Sequence, residues 1–294
     1  MASPFTDSPT LPPELDREIS ELTAYANPLS VPPLMLVACR VKEWVEPFRY
    51  RILILMAVNR PRLNGRGCFP YEDDNNFARI LATPPSIFNK SVRNLCLTYA
   101  YDPVLGHILS ATRDLENLWV VHDFTQTPLA SIFHPTRLKR LHCSPQGLFP
   151  DEDKVDFTHP IFAHLTHLDI FNGFSAQLLD GLPLIPNLTH LAFEHRAGVF
   201  QVPRLLRECK ALRVVVYRMY LPIESESHPE LQELWEDSRF VQMACREQIK
   251  DWHMGALTGV DFWSRAEDFI LRRRSGEIDL HQSVIEGDAS RLLR

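Results

Sequence analysis

Long apolar runs are missing from this 294-residue chain. No stretch of 18 apolar residues occurs, so nothing in it is expected to span a membrane. The first ten residues have no basic start and no apolar centre, so they do not read as a secretory signal. They are rich in Ser, Thr and Pro and are expected to be disordered. None of the six cysteines (39, 68, 96, 143, 209 and 245) lies in a Cys-x-x-Cys pair. They are expected to be small core hydrophobes rather than disulfide partners. No Gly-x-Ser-x-Gly elbow occurs, and the stretch Asn64-Gly-Arg-Gly lacks the lysine and following helix of a phosphate loop. An enzyme is therefore not expected, nor is a cofactor. A clustered basic face is missing too. The net charge is −6, and the basic runs are limited to Arg137, Lys139 and Arg140 and to residues 272–274. That argues against nucleic acid as a partner. Together these lacks point to a cytoplasmic or nuclear protein.

What is present is a repeat. Val92, Leu95 and Leu97 read apolar, two others, apolar, one other, apolar. The pattern returns at Leu115, Leu118 and Val120, at Leu138, Leu141 and Cys143, at Leu165, Leu168 and Ile170, and at Leu188, Leu191 and Phe193. A further copy falls at Leu212, Val215 and Tyr217. The steps are 23, 23, 27, 23 and 24 residues. Tyr50, Leu53 and Leu55 fit an enlarged first repeat, with residues 59–76 as an exposed insertion and a helix around 77–81. A period in the twenties with this pattern is that of a leucine-rich-repeat solenoid. The expected fold is α/β, with parallel strands on a concave face and helices on the convex face.

Strand residues alternate between faces. One outward column reads Asn94, Asn117, Arg140, His167, His190, Val214. The next reads Cys96, Trp119, His142, Asp169, Ala192, Val216, and the third Thr98, Val121, Ser144, Phe171, Glu194, Arg218. Solenoids bind partners on such concave surfaces. Trp119, Arg140, His142, His167, Asp169, Phe171, His190 and Glu194 are the expected target-binding residues, because aromatics and arginine anchor interfaces. His167 and His190 with Asp169 and Glu194 are zinc-ligand types. Flat parallel strands splay such side chains apart, however, so a polar, pH-sensitive patch is expected and no metal.

Residues 11–49 form a distinct helical unit, residues 50–246 the solenoid, and residues 247–294 a helical C-terminal cap with a tail. A helix is expected over 34–48 and an amphipathic one over 262–274. The stretch Leu11-Pro12-Pro13-Glu14-Leu15 with Ile19, followed by Leu36-Val37-Ala38-Cys39-Arg40-Val41 and Trp44, resembles an F-box. The run 41–51 looks like the F-box-like proteins of mushroom-forming fungi. The match departs in its middle, where the proline-rich connection from Leu22 to Leu36 is short. The repeats also lack the asparagine that many leucine-rich repeats place after the strand; Ala100, Asp123, Gln146, Gly173, Arg196 and Tyr220 stand there.

The resemblance implies a non-catalytic substrate-recognition subunit of an SCF-type ubiquitin ligase. Leu11, Pro12, Leu15, Ile19, Leu36 and Val37 would contact the SCF adaptor subunit, and the concave face would hold a protein target of unknown identity. The alternative is a repeat-built interaction module with no ligase link, its helical unit merely closing off the first repeat.

Overall fold

The structure, a computed structural model, describes residues 11–56, 71–72, 85–98, 102–121, 128–144, 148–149, 155–171, 176–219, 222–224, 227–244 and 247–285. The expected disordered start, most of the 59–76 insertion and the helix near 77–81 lie outside them, as do Cys68 and Cys245.

The apolar triplets become strands, and their register follows the repeat. Ten strands form one sheet: β1 Ile52–Met56, β2 Tyr71–Glu72, β3 Asn94–Thr98, β4 Asn117–Val121, β5 Arg140–Cys143, β6 His167–Ile170, β7 His190–Phe193, β8 Val214–Met219, β9 Phe240–Ala244 and β10 Val284–Ile285. The order is β10-β9-β8-β7-β6-β5-β4-β3-β1-β2. Every pairing is parallel. Leu53, Leu95, Leu118, Leu141, Leu168, Leu191 and Val215 stand side by side across seven strands. Each of these is almost wholly buried, and with Leu97, Val120, Ile170 and Phe193 they form the main core. Short helices cover that side: α4 Pro85–Ser91, α5 Asp102–Ala111, α6 Leu129–Ile132, α7 Ala176–Gly181, α8 Arg196–Val199, α9 Val202–Glu208 and α10 Gln232–Glu236. The arrangement is α/β, all-parallel and solenoid-like.

A bifurcated ladder runs along the N-terminal edge of the sheet. The carbonyl of Arg51 accepts from the backbone N–H groups of both Arg93 and Asn94. Arg93 does the same for Glu116 and Asn117, Glu116 for Lys139 and Arg140, and Lys139 for Thr166 and His167. Thr166 Oγ1 adds a bond to the Lys139 carbonyl at 3.1 Å, and Asn187 Nδ2 one to the Ala163 carbonyl at 2.8 Å. These ties between successive repeats stand at the opposite end of the strands from the missing asparagines. Of those positions only Arg196 is described, at the start of α8.

The N-terminal unit comprises α1 (Pro13–Ala26), α2 (Val31–Leu34) and α3 (Cys39–Val45), closed by a 3₁₀ turn at Glu46–Tyr50. Pro13 opens α1, where a missing N–H costs nothing. The single helix expected over 34–48 is not formed. Residues 35–37 turn, and Ala38 is extended at φ −160°, ψ 155° before α3 begins. Ala24, Val31, Val41 and Val45 form a small separate core.

The C-terminal segment departs most from expectation. Helices α11 (Gln248–Thr258) and α12 (Phe262–Ser275) do not close the open end of the solenoid; they lie on the concave side of the sheet. Each ends on a glycine with positive φ, Gly259 at 81° and Gly276 at 79°, the left-handed stop that favours glycine. No helix among the described residues is long and apolar enough to cross a membrane. Cys96, Cys143 and Cys209 are buried free thiols, whereas Cys39 is exposed.

Two glycines give opposite expectations. Gly106 in α5 has open space around the position of a Cβ. Gly106→Ala should therefore stabilise the fold by about 0.5–1 kcal/mol through helix propensity. In α11 a Cβ on Gly255 would lie 2.7 Å from Asp261 Oδ2. Gly255→Ala should cost about 1–3 kcal/mol by overpacking. Thermal unfolding of the two variants should shift Tm in opposite directions; two shifts of one sign would contradict the packing of α11 against Asp261.

Candidate functional site

The three outward columns align strand by strand as their spacing requires. Arg140 pairs with His167 and His167 with His190; Trp119 pairs with His142 and His142 with Asp169. The expected open surface is absent, because α11 and α12 cover it. Trp119 is 2% exposed and Asp169 0%. His142, Phe171 and His190 are also buried, and Arg140, His167 and Glu194 are partly so.

Two apolar clusters form beneath the helices. Ile52, Ile54, Cys96, Trp119 and Phe171 pack on Trp252 of α11. Ala192, Val214, Val216, Val241 and Met243 pack on Phe262, Trp263, Ala266, Phe269 and Ile270 of α12. Burying a large apolar side chain stabilises by ~1.5–3 kcal/mol. The five large ones of this cover (Trp252, Phe262, Trp263, Phe269, Ile270) thus contribute on the order of 10 kcal/mol, comparable to the net stability of a whole domain. The helices are an integral second layer, not a loose lid.

Polar contacts fix their position. Trp252 Nε1 donates to Asn117 Oδ1 at 3.0 Å. Arg140 Nη1 meets Asp261 Oδ2 at 2.7 Å, while Asp261 Oδ1 caps α12 by accepting from Ser264 N. Gln248 bonds Glu194. The buried Asp251 carboxylate accepts from Phe262 N at 2.8 Å and from Arg265 Nη1 at 2.7 Å; its burial raises its pKa. Buried Arg273 donates to the carbonyls of Phe240 and Trp235 and pins the far end of α12 to β9.

A charged cluster sits at the centre. Asp169 Oδ2 lies 3.0 Å from His142 Nδ1, and Asp169 Oδ1 lies 2.9 Å from Arg218 Nη2. Arg218 Nη2 is also 3.0 Å from Glu194 Oε1, and its guanidinium stands over the rings of Phe171 and Phe262. Its N–H groups do not point along the lines to those oxygens. The contacts are therefore charge pairs more than directed hydrogen bonds. Trp119 stacks on His142 with ring centres 4.8 Å apart.

His167 and His190 stack face to face at 3.9 Å and 9°, with the Trp263 ring edge-on to both. Their Nδ1 atoms lie 2.8 and 2.7 Å from the hydroxyls of Thr166 and Thr189. His190 Nε2 faces Glu267 Oε1 at 3.0 Å. A carboxylate only accepts, so the neutral ring carries its proton on Nε2, and the single proton of the Thr189 hydroxyl is shared between Nδ1 and the Thr166 carbonyl at 3.1 Å. Parallel rings aim their nitrogens side by side rather than at one point. Among the described residues no group of three or more His, Cys, Asp or Glu is placed to hold a metal ion.

The residues expected to contact an adaptor are arranged differently. On α1, Leu15, Ile19 and Leu22 share one face, roughly opposite the buried Ser20 and Ala24 at about 100° per residue. Leu15 is 47% exposed, Ile19 51%, Leu36 86% and Val37 69%; Leu11 and Pro12 are exposed as well. Arg40 braces α1 against α3 through Asp16 at 2.9 Å.

Trp252, Asp261 and Glu267 lie outside the repeat pattern, and Arg218 stands in its third column without being among the expected target-binding residues. The available signal is that Ile52-Leu-Ile-Leu-Met and Val214-Val-Val-Tyr are apolar on both faces, which parallel strands show when both faces are covered. The sequence matches no family model and no curated protein.

Burial lowers the pKa values of His142, His167 and His190. For His142 the neighbouring Asp169 opposes the shift, and for His190 Glu267 does. His167, facing His190, Arg140 and His142, falls to about 2. A lowered histidine pKa means that the unfolded chain binds more protons below about 6.5, so stability is full above that pH and is lost beneath it. His167 alone should remove about 1.4 kcal/mol per pH unit below 6.5. Urea unfolding at pH 7.5, 6.5 and 5.5 should show this loss, and His167→Gln should flatten the slope. An unchanged slope in that variant would remove the histidine stack as its origin.

Proposed function

We propose that the chain is a non-catalytic recognition subunit that docks through its helical N-terminal unit onto the adaptor of an SCF-type ubiquitin ligase. One observation carries this: the apolar stripe of α1 points to solvent while small residues, Ser20 and Ala24, point inward. A helix that merely closes off a repeat array turns its large apolar side chains toward the array. Here Leu11, Leu15, Ile19, Leu36 and Val37 are exposed among the described residues, and large apolar side chains left exposed in one small unit mark a binding face. These are the positions at which the sequence resembles an F-box. The all-parallel sheet with a period in the twenties supports the leucine-rich-repeat part of the proposal.

Because the concave columns are largely covered in this arrangement, the proposal does not rest on target recognition there. The alternative, an interaction module with no ligase link, differs in leaving the α1 stripe for some other partner.

Purified SCF adaptor subunit and the full chain provide the test, with wild type set against Leu15→Asp combined with Ile19→Asp. Both side chains are half exposed, so the variant should keep the parent's Tm. Loss of two interface anchors should cost at least about 2 kcal/mol, roughly 30-fold in affinity. Equal binding in both, or none in either, would favour the module without a ligase link.

A further inference from the structure

Between the helical unit and the N-terminal edge of the sheet lies a cleft of about 1280 Å³. Its third wall is the C-terminal turn of α11, residues 255–259. Two kinds of chemistry meet in it. One wall is apolar and aromatic, built from Tyr25, Leu29, Trp44 and Phe48, with Leu257 opposite. Tyr25 and Leu29 are large, apolar and more than half exposed. The floor is cationic. Arg51, Arg93 and Arg140 follow the edge of the sheet, and Arg51 and Arg93 precede paired positions of β1 and β3, so their backbones are about 4.8 Å apart.

The charge in the cleft runs against that of the whole chain. Five cationic side chains line it against three carboxylates, in a protein of net charge −6. Two of the carboxylates are neutralised within the cleft, Glu21 by Arg17 at 2.7 Å and Glu116 by Lys139 at 3.5 Å. Arg140 is engaged by Asp261, and Arg93 reaches Asp114 at 3.8 Å. Arg51 has no ion pair among the described residues. Its guanidinium carbon stands over the Tyr25 ring, 3.8 Å from its centre, and a guanidinium held on an aromatic face can still donate its N–H groups to an acceptor. The α11 carbonyls at the far wall carry the negative end of a helix dipole, so an anion belongs on the Arg51 side. Those carbonyls suit backbone N–H groups as partners.

From this we propose that the cleft binds an extended acidic peptide segment of a target protein. A carboxylate of the segment pairs with Arg51, and an aromatic or branched aliphatic side chain lies against Tyr25 and Leu29. The proposal rests on the chain being a recognition protein, and it moves the recognition site from the covered concave face to this cleft. It does not require the adaptor. The cleft uses Arg17, Glu21 and Tyr25 along one side of α1, whereas the adaptor-facing stripe is Leu15, Ile19 and Leu22.

The probe is a fluorescent hexapeptide library presented to the full-length chain without adaptor. The enriched sequences should combine Asp or Glu with Trp, Phe, Leu or Ile. The best peptide should lose at least tenfold in affinity for Arg51→Glu and for Leu29→Asp, and binding should weaken with salt. Replacing its acidic residue by Lys should restore binding to Arg51→Glu. Leu15→Asp with Ile19→Asp should leave peptide binding unchanged, so failure at the cleft and failure at the adaptor face are told apart. Thermal melts confirm that each variant is folded. No enriched peptide, a peptide that binds Arg51→Glu as tightly as wild type, or a twelve-residue oligo-dT that outcompetes every peptide would overturn the proposal.

Discussion

The covering of the concave sheet face by α11 and α12 is the constraint on which the other features depend. A parallel sheet with apolar side chains on both faces needs two covers, and only one is supplied by the short helices between strands. Trp252 and Trp263 provide much of the second. Once that layer is in place, most of the polar residues on the face take partners in it or in the sheet, the buried Thr98 hydroxyl being an exception. Arg140 takes Asp261, Asn117 takes Trp252, His190 takes Glu267, and Arg218 gathers Asp169 and Glu194. The polar residues that make the columns look like a binding surface are here the inner contacts of a two-sided core.

The repeat was legible because a period-2 strand and a near-constant 23-residue step leave few alternative registers. Leu95, Leu118, Leu141, Leu168 and Leu191 align as the spacing demands. The cover was harder to read. Residues 248–258 mix Trp252 and Met254 with Lys250, Asp251 and His253, so no clean apolar stripe announces a buried helix. The apolar face of 262–274 is visible, but periodicity tells which side of a helix is buried and not against what. Val214, Val216, Ile52 and Ile54 held the answer: aliphatic side chains at positions that should face water. The break at Ala38 escaped for a similar reason, since Leu34, Val37 and Val41 keep helical spacing across a turn.

On α1 three surfaces share one helix. Small residues face the unit's own core, a leucine–isoleucine stripe faces outward, and Arg17, Glu21 and Tyr25 face the sheet edge. Arg51 joins the third surface to the first strand by stacking on Tyr25, so the helical unit and the repeats are coupled where the cleft lies.

Ordinary solenoids touch only their neighbours, which lets them gain or lose a unit and keep the rest. The concave helices remove that freedom. Trp252 reaches β4, Asp261 reaches β5, Glu267 reaches β7 and Arg273 reaches β9, so one rigid hairpin measures the array along most of its length. An inserted or deleted repeat would throw these contacts out of register together. The contacts of the two concave helices therefore fix how many strands can stand between β4 and β9.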